Sequence, residues 1–283
     1  MYSIYVSAAV TTIISFLFYQ LGLSWVWIWM LGVVIAFAAF SLVNRKFAKK
    51  VEAVIQKANL ELQQAQNLAQ RNAGGGKGAQ VVMDKKTKNA IHILKQGFQY
   101  EKWQIGAATS INAQIGMILF SQHVFHQKGQ KGKLSEAIPY LEATLMKGMR
   151  AKLMQSIWHA WLRLAVCHFM VKKDLKRALE VMEIVVSTVP KEGFAWSVYA
   201  WFYFKTNQNP EAIDILIRGN KESTDPHLKE NLSLLQNGKK MKMNLYGNYW
   251  WGLGLEKAKH LTGQGQQQMG HPRMKGGRGM KRR

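Results

Sequence analysis

Apolar and polar positions alternate in three different ways along this chain, and each pattern predicts a different element. Residues 1–44 carry no charged side chain. Within them Tyr2 to Tyr19 and Trp25 to Val43 are apolar apart from hydroxyls. Each run spans about 27 Å as a helix, enough for a hydrocarbon core of about 30 Å. Gln20 to Ser24 offers a short turn between them, with Gly22 as the breaker. Phe16, Phe18 and Tyr19 before that turn, and Trp25, Trp27 and Trp29 after it, resemble an interfacial aromatic belt. From Arg45 the pattern changes. Val51, Ile55, Ala58, Leu62, Ala65 and Ala69 recur in steps of four and three, the spacing of a coiled-coil seam. Three alanines make this seam thin, so it suits either a stalk packed on its own domain or a dimer. The run from Ala73 to Gly78 then ends the helix in a flexible linker. It is not a phosphate loop, because Lys77 is followed by glycine and no strand precedes it.

Beyond the linker the spacing is helical again, over Asn89 to Gln104 and Ala107 to Phe125. Sliding 159–226 along itself by 34 residues brings Leu162 onto Trp196, Val166 onto Ala200, Phe169 onto Tyr203, Ala178 onto Ala212 and Met182 onto Leu216. Trp196, Tyr199, Ala200, Tyr203, Ala212 and Leu216 form the better copy, closing near Pro226; the other closes with Pro190. This stretch resembles the tetratricopeptide-repeat (TPR) family, whose period and pattern of large, small and aromatic positions it shares. Ile115, Gly116 and Leu119, followed by Ala137, Leu141 and Thr144, echo the pattern across a Gly/Lys-rich loop at 127–133. A third copy starting at Pro226 has Tyr246 and Trp250 where alanine and a large aliphatic residue are expected. Tyr246, Tyr249, Trp250 and Trp251 therefore predict either a capping helix, the favoured reading, or a second membrane contact.

The resemblance implies a groove lined by the first helix of each hairpin. Its positions here are Cys167, Met170 and Val171 in one copy and Trp201, Phe204 and Lys205 in the next, with Arg163 and Ser197 one turn earlier. The family's grooves that clamp a peptide's terminal carboxylate use lysine and asparagine. These positions are largely apolar and suit an apolar or aromatic helix. The alternative is that Trp201 and Phe204 pack against flanking helices.

Charge refines this picture. The net charge of +23 is uneven. From Lys133 to Glu230 there are 14 basic and 11 acidic residues, but 14 against 4 over 45–131 and 11 against 1 from Leu232 onward. A near-neutral body with basic flanks points to attachment rather than folding. The tail from Thr262 is rich in Gln, Gly and Arg and predicts disorder. Its Arg273, Lys275, Arg278, Lys281, Arg282 and Arg283 suit anionic lipid headgroups or RNA phosphates.

Candidate chemistry is sparse. Cys167 is the single cysteine, so no intramolecular disulfide forms, and its position within a helix predicts a buried small hydrophobe. His123 and His126 are one turn apart without a Cys, Asp or Glu to complete a metal site. Cys167 and His168 are adjacent and diverge on a helix. No nucleophile elbow, HExxH or paired-carboxylate pattern occurs, so no catalytic, cofactor or metal site is expected.

The expected fold class is all-α: a transmembrane hairpin (1–44), a juxtamembrane helix (45–72), a flexible linker (73–84), a TPR-like α-solenoid (85–258) and a basic tail (259–283). Arg45, Lys46, Lys49 and Lys50 follow the second apolar run at once and place both chain ends in the cytoplasm, with a bacterial inner membrane as the setting. A cleaved signal peptide fits less well, because no positive n-region precedes the first run and a second follows. The expected function is a membrane-anchored scaffold for a protein partner. The alternative is a membrane tether for RNA or ribosomes through the basic flanks and tail.

Overall fold

The computed structural model describes residues 2–20, 24–71, 77–125 and 131–256, and they are helical almost throughout. The two apolar runs form α1 (Tyr2–Gln20) and the start of α2 (Trp25–Arg71), packed as a hairpin. Small side chains hold the two together. A Cβ on Gly32 would sit 3.2 Å from Ser15 Oγ. Ser7, Thr11 and Thr12 turn their hydroxyls back to the carbonyls of Ile4, Ser7 and Ala8 at 2.8–2.9 Å. A polar atom that finds its partner within its own helix is tolerated in an apolar medium. Both helices are long and apolar enough to cross a membrane, and only 11% of each one's most apolar window is buried inside the protein.

Past Arg45, α2 continues unbroken to Arg71 and packs along α3 (Lys77–Gln96). Val51, Ala58 and Ala65 of the seam are buried in this hairpin, as are Ala90 and Leu94 of α3. Lys86 reaches Glu61 at 2.8 Å and Gln64 at 3.1 Å. The seam packs within the chain on α3, in keeping with the stalk reading. Its alanines suit it, because a thin seam lets a neighbouring helix lie close. Of the linker expected at 73–84, residues 77–84 are helical. The chain is helical from Lys77, and residues 72–76 lie outside the described residues.

A 3₁₀ turn (Gly97–Tyr100) leads through 101–106 into α4 (Ala107–Phe125), which pairs with α5 (Lys131–Glu142). Gly116 makes the pairing possible: a Cβ there would lie 2.5 Å from Leu141 Cδ2. The short α6 (Met149–Leu153) then leads to α7 (Trp158–Cys167), prolonged by a π-helical turn over His168–Lys172. Next come α8 (Leu175–Thr188), α9 (Gly193–Lys205), α10 (Asn209–Glu222) and α11 (Pro226–Gln236).

The 34-residue interval reappears in the backbone. Both ends of α10 lie 34 residues after those of α8. The two residues with positive φ outside glycine, among those described, are Lys173 (φ 50°) and Asn207 (φ 60°), again 34 apart. The amides of Ala178 and Ala212 each donate at 3.1 Å to the residue capping their helix, Asp174 and Gln208. Two helical hairpins thus share one turn geometry, with small residues where helices meet. Ala200, Ala178 and Ala212 are fully buried, and a Cβ on Gly219 would lie 2.7 Å from Trp196 Cγ.

Candidate interaction groove

The side chains expected to line a groove sit on α7, its π-helical turn and α9. The chain's own segment 243–256, made of a 3₁₀ turn (Met243–Tyr246) and α12 (Asn248–Trp251), packs on three of them, Ser197, Trp201 and Lys205. Gly247 (φ 53°) and Gly254 (φ 66°) take left-handed backbone there, so the segment folds back instead of extending a third copy.

Trp201 is 2% exposed and meets Trp250 edge to face, ring centroids 5.1 Å apart. Trp250 is itself fully buried, as are Met243 and Leu253. Ser197 shares a hydrogen bond of 2.8 Å with Tyr246, and the Tyr246 hydroxyl donates to Asp225 Oδ2 at 3.1 Å. The carboxylate can only accept, so Ser197 is the donor to Tyr246. Lys205 lies 5.3 Å from the centroid of the Trp201 ring and 3.5 Å from Glu256 Oε1. Exposed ion pairs contribute about 0–1 kcal/mol, whereas removing a buried tryptophan costs about 3–5 kcal/mol. The aromatic contacts therefore hold the segment, and the ion pair trims its edge.

The other expected positions divide. Arg163 is half-buried, donates to the His159 carbonyl at 3.1 Å and lies over Phe120 at 5.6 Å. Burial pulls its guanidinium below the ordinary value. Met170 and Val171 are half-buried against the core. Phe204 and Lys205 line a separate cleft with Leu235 and Lys240. Cys167 is fully buried and its thiol is pushed up to about 12 by that burial. An open, contiguous groove over all these positions is not what the chain forms. Trp201 is core, and of Tyr246, Tyr249, Trp250 and Trp251 the ring of Trp250 turns fully inward as a cap would, while Tyr249 stands 68% exposed.

What stays open lies at one end of the segment. A cleft of about 630 Å³ is lined by Trp158, His159, Phe194, Asp225, Tyr246 and Tyr249, among others. A smaller one of about 220 Å³ shares His159, Phe194 and Tyr249 with it and reaches Arg163. In the lining of the larger cleft two segments approach closely: Gly193 has no room for a Cβ because the Asp225 side chain occupies that space. Asp225 in turn caps α11, accepting from the His227 amide at 2.9 Å. Burial, aided by Arg163, holds His159 below the ordinary imidazole value. Burial also raises the Tyr246 hydroxyl, despite the hydrogen bond from Ser197. A neutral imidazole, two phenols and flat rings suit hydrogen bonding and stacking with a bound group.

The described residues contain no cluster of three or more metal-ligating side chains. His123 stands on α4, while its expected partner His126 and the tail cations Arg273 to Arg283 lie outside the described residues. Sequence reasoning missed that the aromatic tail segment and the groove are each other's partners. The signal was present in the mismatch at Tyr246 and Trp250 and in the glycines at 247, 252 and 254. Compared with family models, curated proteins and solved structures, the chain matches none.

Proposed function

We propose that this chain is a membrane-anchored scaffold: a hairpin in the bacterial inner membrane presenting a TPR-like helical domain to a protein partner in the cytoplasm. The observation that carries this reading is the face of α7 and α9. It already holds an aromatic peptide segment in cis and leaves a cleft of about 630 Å³ beside it. That volume lies within the range of about 300–1,000 Å³ usual for binding clefts. Tyr249, exposed at its rim, is the side chain a partner meets first.

A photo-crosslinking amino acid at Tyr249 tests this in native membranes. The scaffold reading expects one discrete protein adduct, weakened by His159→Trp, which fills the cleft. Absence of any adduct, with full-length protein present in the membrane, contradicts it. The uneven charge supports the second reading, an RNA or ribosome tether. For that reading the crosslink is to RNA, and binding falls steeply with salt.

A further inference from the structure

Two short stretches outside the apolar runs expose large apolar side chains side by side. One is the turn between the 3₁₀ helix and α4, where Ile105 is 53% exposed. The other is α6, where Met149 and Leu153 are 73% and 76% exposed. These two lie four residues apart and so share one face of the helix, while Ala151 between them is buried. Met154 packs against Gly106, where a Cβ would lie 3.4 Å from Met154 Cε, so the end of α6 adjoins the Ile105 turn.

That turn is pinned to the base of the apolar hairpin. The Tyr2 amide donates to the Lys102 carbonyl at 2.6 Å. Trp103 stacks on Phe47 at 4.7 Å and leans on the Tyr2 ring at 5.0 Å. Lys50 lies over Phe47 and Tyr100. Tyr2 opens α1, and Phe47 stands just past the first charges of α2, so both mark the level where the apolar hairpin ends. In the sequence, Lys102 stands near Ile105 with Glu101 beside it, Lys147, Arg150 and Lys152 flank Met149 and Leu153, and Lys46 and Lys49 flank Phe47. Residues 143–154 contain no acid.

We propose that the 102–105 turn and α6 form a foot that rests on the anionic surface of the same membrane, with Ile105, Met149 and Leu153 entering the headgroup region. Exposed apolar side chains flanked along the chain by cations match an interface whose outer layer is anionic and whose interior is apolar. Continuity with the hairpin base selects lipid over a protein partner. The foot holds the cytoplasmic domain at a fixed tilt, so it does not swing on α2. This inference rests on the membrane reading of α1 and α2.

The test uses the full chain in vesicles of phosphatidylethanolamine and phosphatidylglycerol carrying spin-labelled quencher lipids. Leu153→Cys, Ile13→Cys in α1 and Glu211→Cys on α10 are each labelled with an environment-sensitive fluorophore; the native Cys167 is buried and stays unlabelled. The expected result is a blue shift and strong quenching at 153 by shallow quenchers, deep quenching at 13, and neither at 211. Exchanging phosphatidylglycerol for phosphatidylcholine should diminish the effect at 153. Deep quenching at 13 with 153 behaving like 211 overturns the foot and leaves the anchor standing. No quenching at 13 overturns both, and quenching at 153 that ignores lipid charge overturns the anionic assignment.

Discussion

Two helices in this chain are apolar on every side, and they end in opposite surroundings. In α9, every residue from Gly193 to Phe202 is buried. It is wrapped by α8, α10, α11 and the 243–256 segment. In α1, only Ser3 and Ser7 are buried, while Tyr5, Ile13 and Phe16 stand clear of the protein. A helix without a polar face needs a complete apolar wrapping. For α9 the protein supplies it. For α1 and the first half of α2 it supplies one contact line of small residues. At 13 residues α9 is also too short to cross a bilayer, whereas α1 has 19. Local apolarity is therefore the same signal in both, and length with the supply of neighbours decides which solvent each helix enters.

Breaking the wrapping of α9 should have the largest effect. Trp201→Ala removes the ring that meets Phe169 and Trp250 and should cost about 3–5 kcal/mol, read as a shifted denaturation midpoint in detergent. Phe37→Ala, on the 72% exposed face of α2, should leave that midpoint unchanged. If Trp201→Ala leaves the midpoint unmoved, the 243–256 segment is not part of the folded core. Overfilling the same hairpin is the next step down. Ala212→Leu adds volume at a fully buried small position and should cost about 1–3 kcal/mol.

A subtler weakness sits in the preceding hairpin. His168 is buried on the π-helical turn, with Nε2 3.2 Å from Glu142 Oε1. Burial, the largest influence, holds its pKa below the ordinary 6.5 against the pull of Glu142. The folded protein therefore binds fewer protons than the unfolded chain once pH falls below 6.5, so this stability is complete above 6.5 and is lost as pH drops toward the folded value. His159 shifts in the same direction. Thermal melts should fall between about pH 7.5 and about pH 5.5, and His168→Gln should flatten that slope. An identical slope in the variant would mean that His168 titrates alike in the folded and unfolded chain and does not carry the pH dependence. The smallest effect concerns the shared turn. Lys173→Asn places at φ 50° the residue type that Asn207 supplies in the second hairpin, and should stabilise by less than about 1 kcal/mol.

The period of 34 and the small positions at Ala178, Ala200 and Ala212 were legible because helix pairing leaves a regular imprint on residue size. The two apolar runs were legible because nothing but their length and lack of charge matters. The thin seam at Val51, Ala58 and Ala65 was ambiguous, since its alanines suit any close neighbour and the neighbour, α3, starts within the expected linker. The groove was half legible. The family resemblance put Ser197, Trp201 and Lys205 on one face, but 243–256 packs on them through tertiary contacts that no local period records. The foot at Ile105, Met149 and Leu153 was invisible for the same reason, its two parts being brought together by the packing of Met154 on Gly106.

The central claim is that α1 and α2 cross a membrane and leave the helical domain in the cytoplasm. Labelling of intact cells with a membrane-impermeant maleimide tests it directly, with single cysteines at Ser24→Cys, at the start of the second run, and Glu211→Cys, on the exposed face of α10. The account predicts that Ser24→Cys reacts in intact cells while Glu211→Cys reacts only after the membrane is opened. Reaction of Glu211→Cys in intact cells, with Ser24→Cys protected, would reverse the topology. Protection of both until lysis, with the protein recovered in the soluble fraction, would remove the membrane from the account.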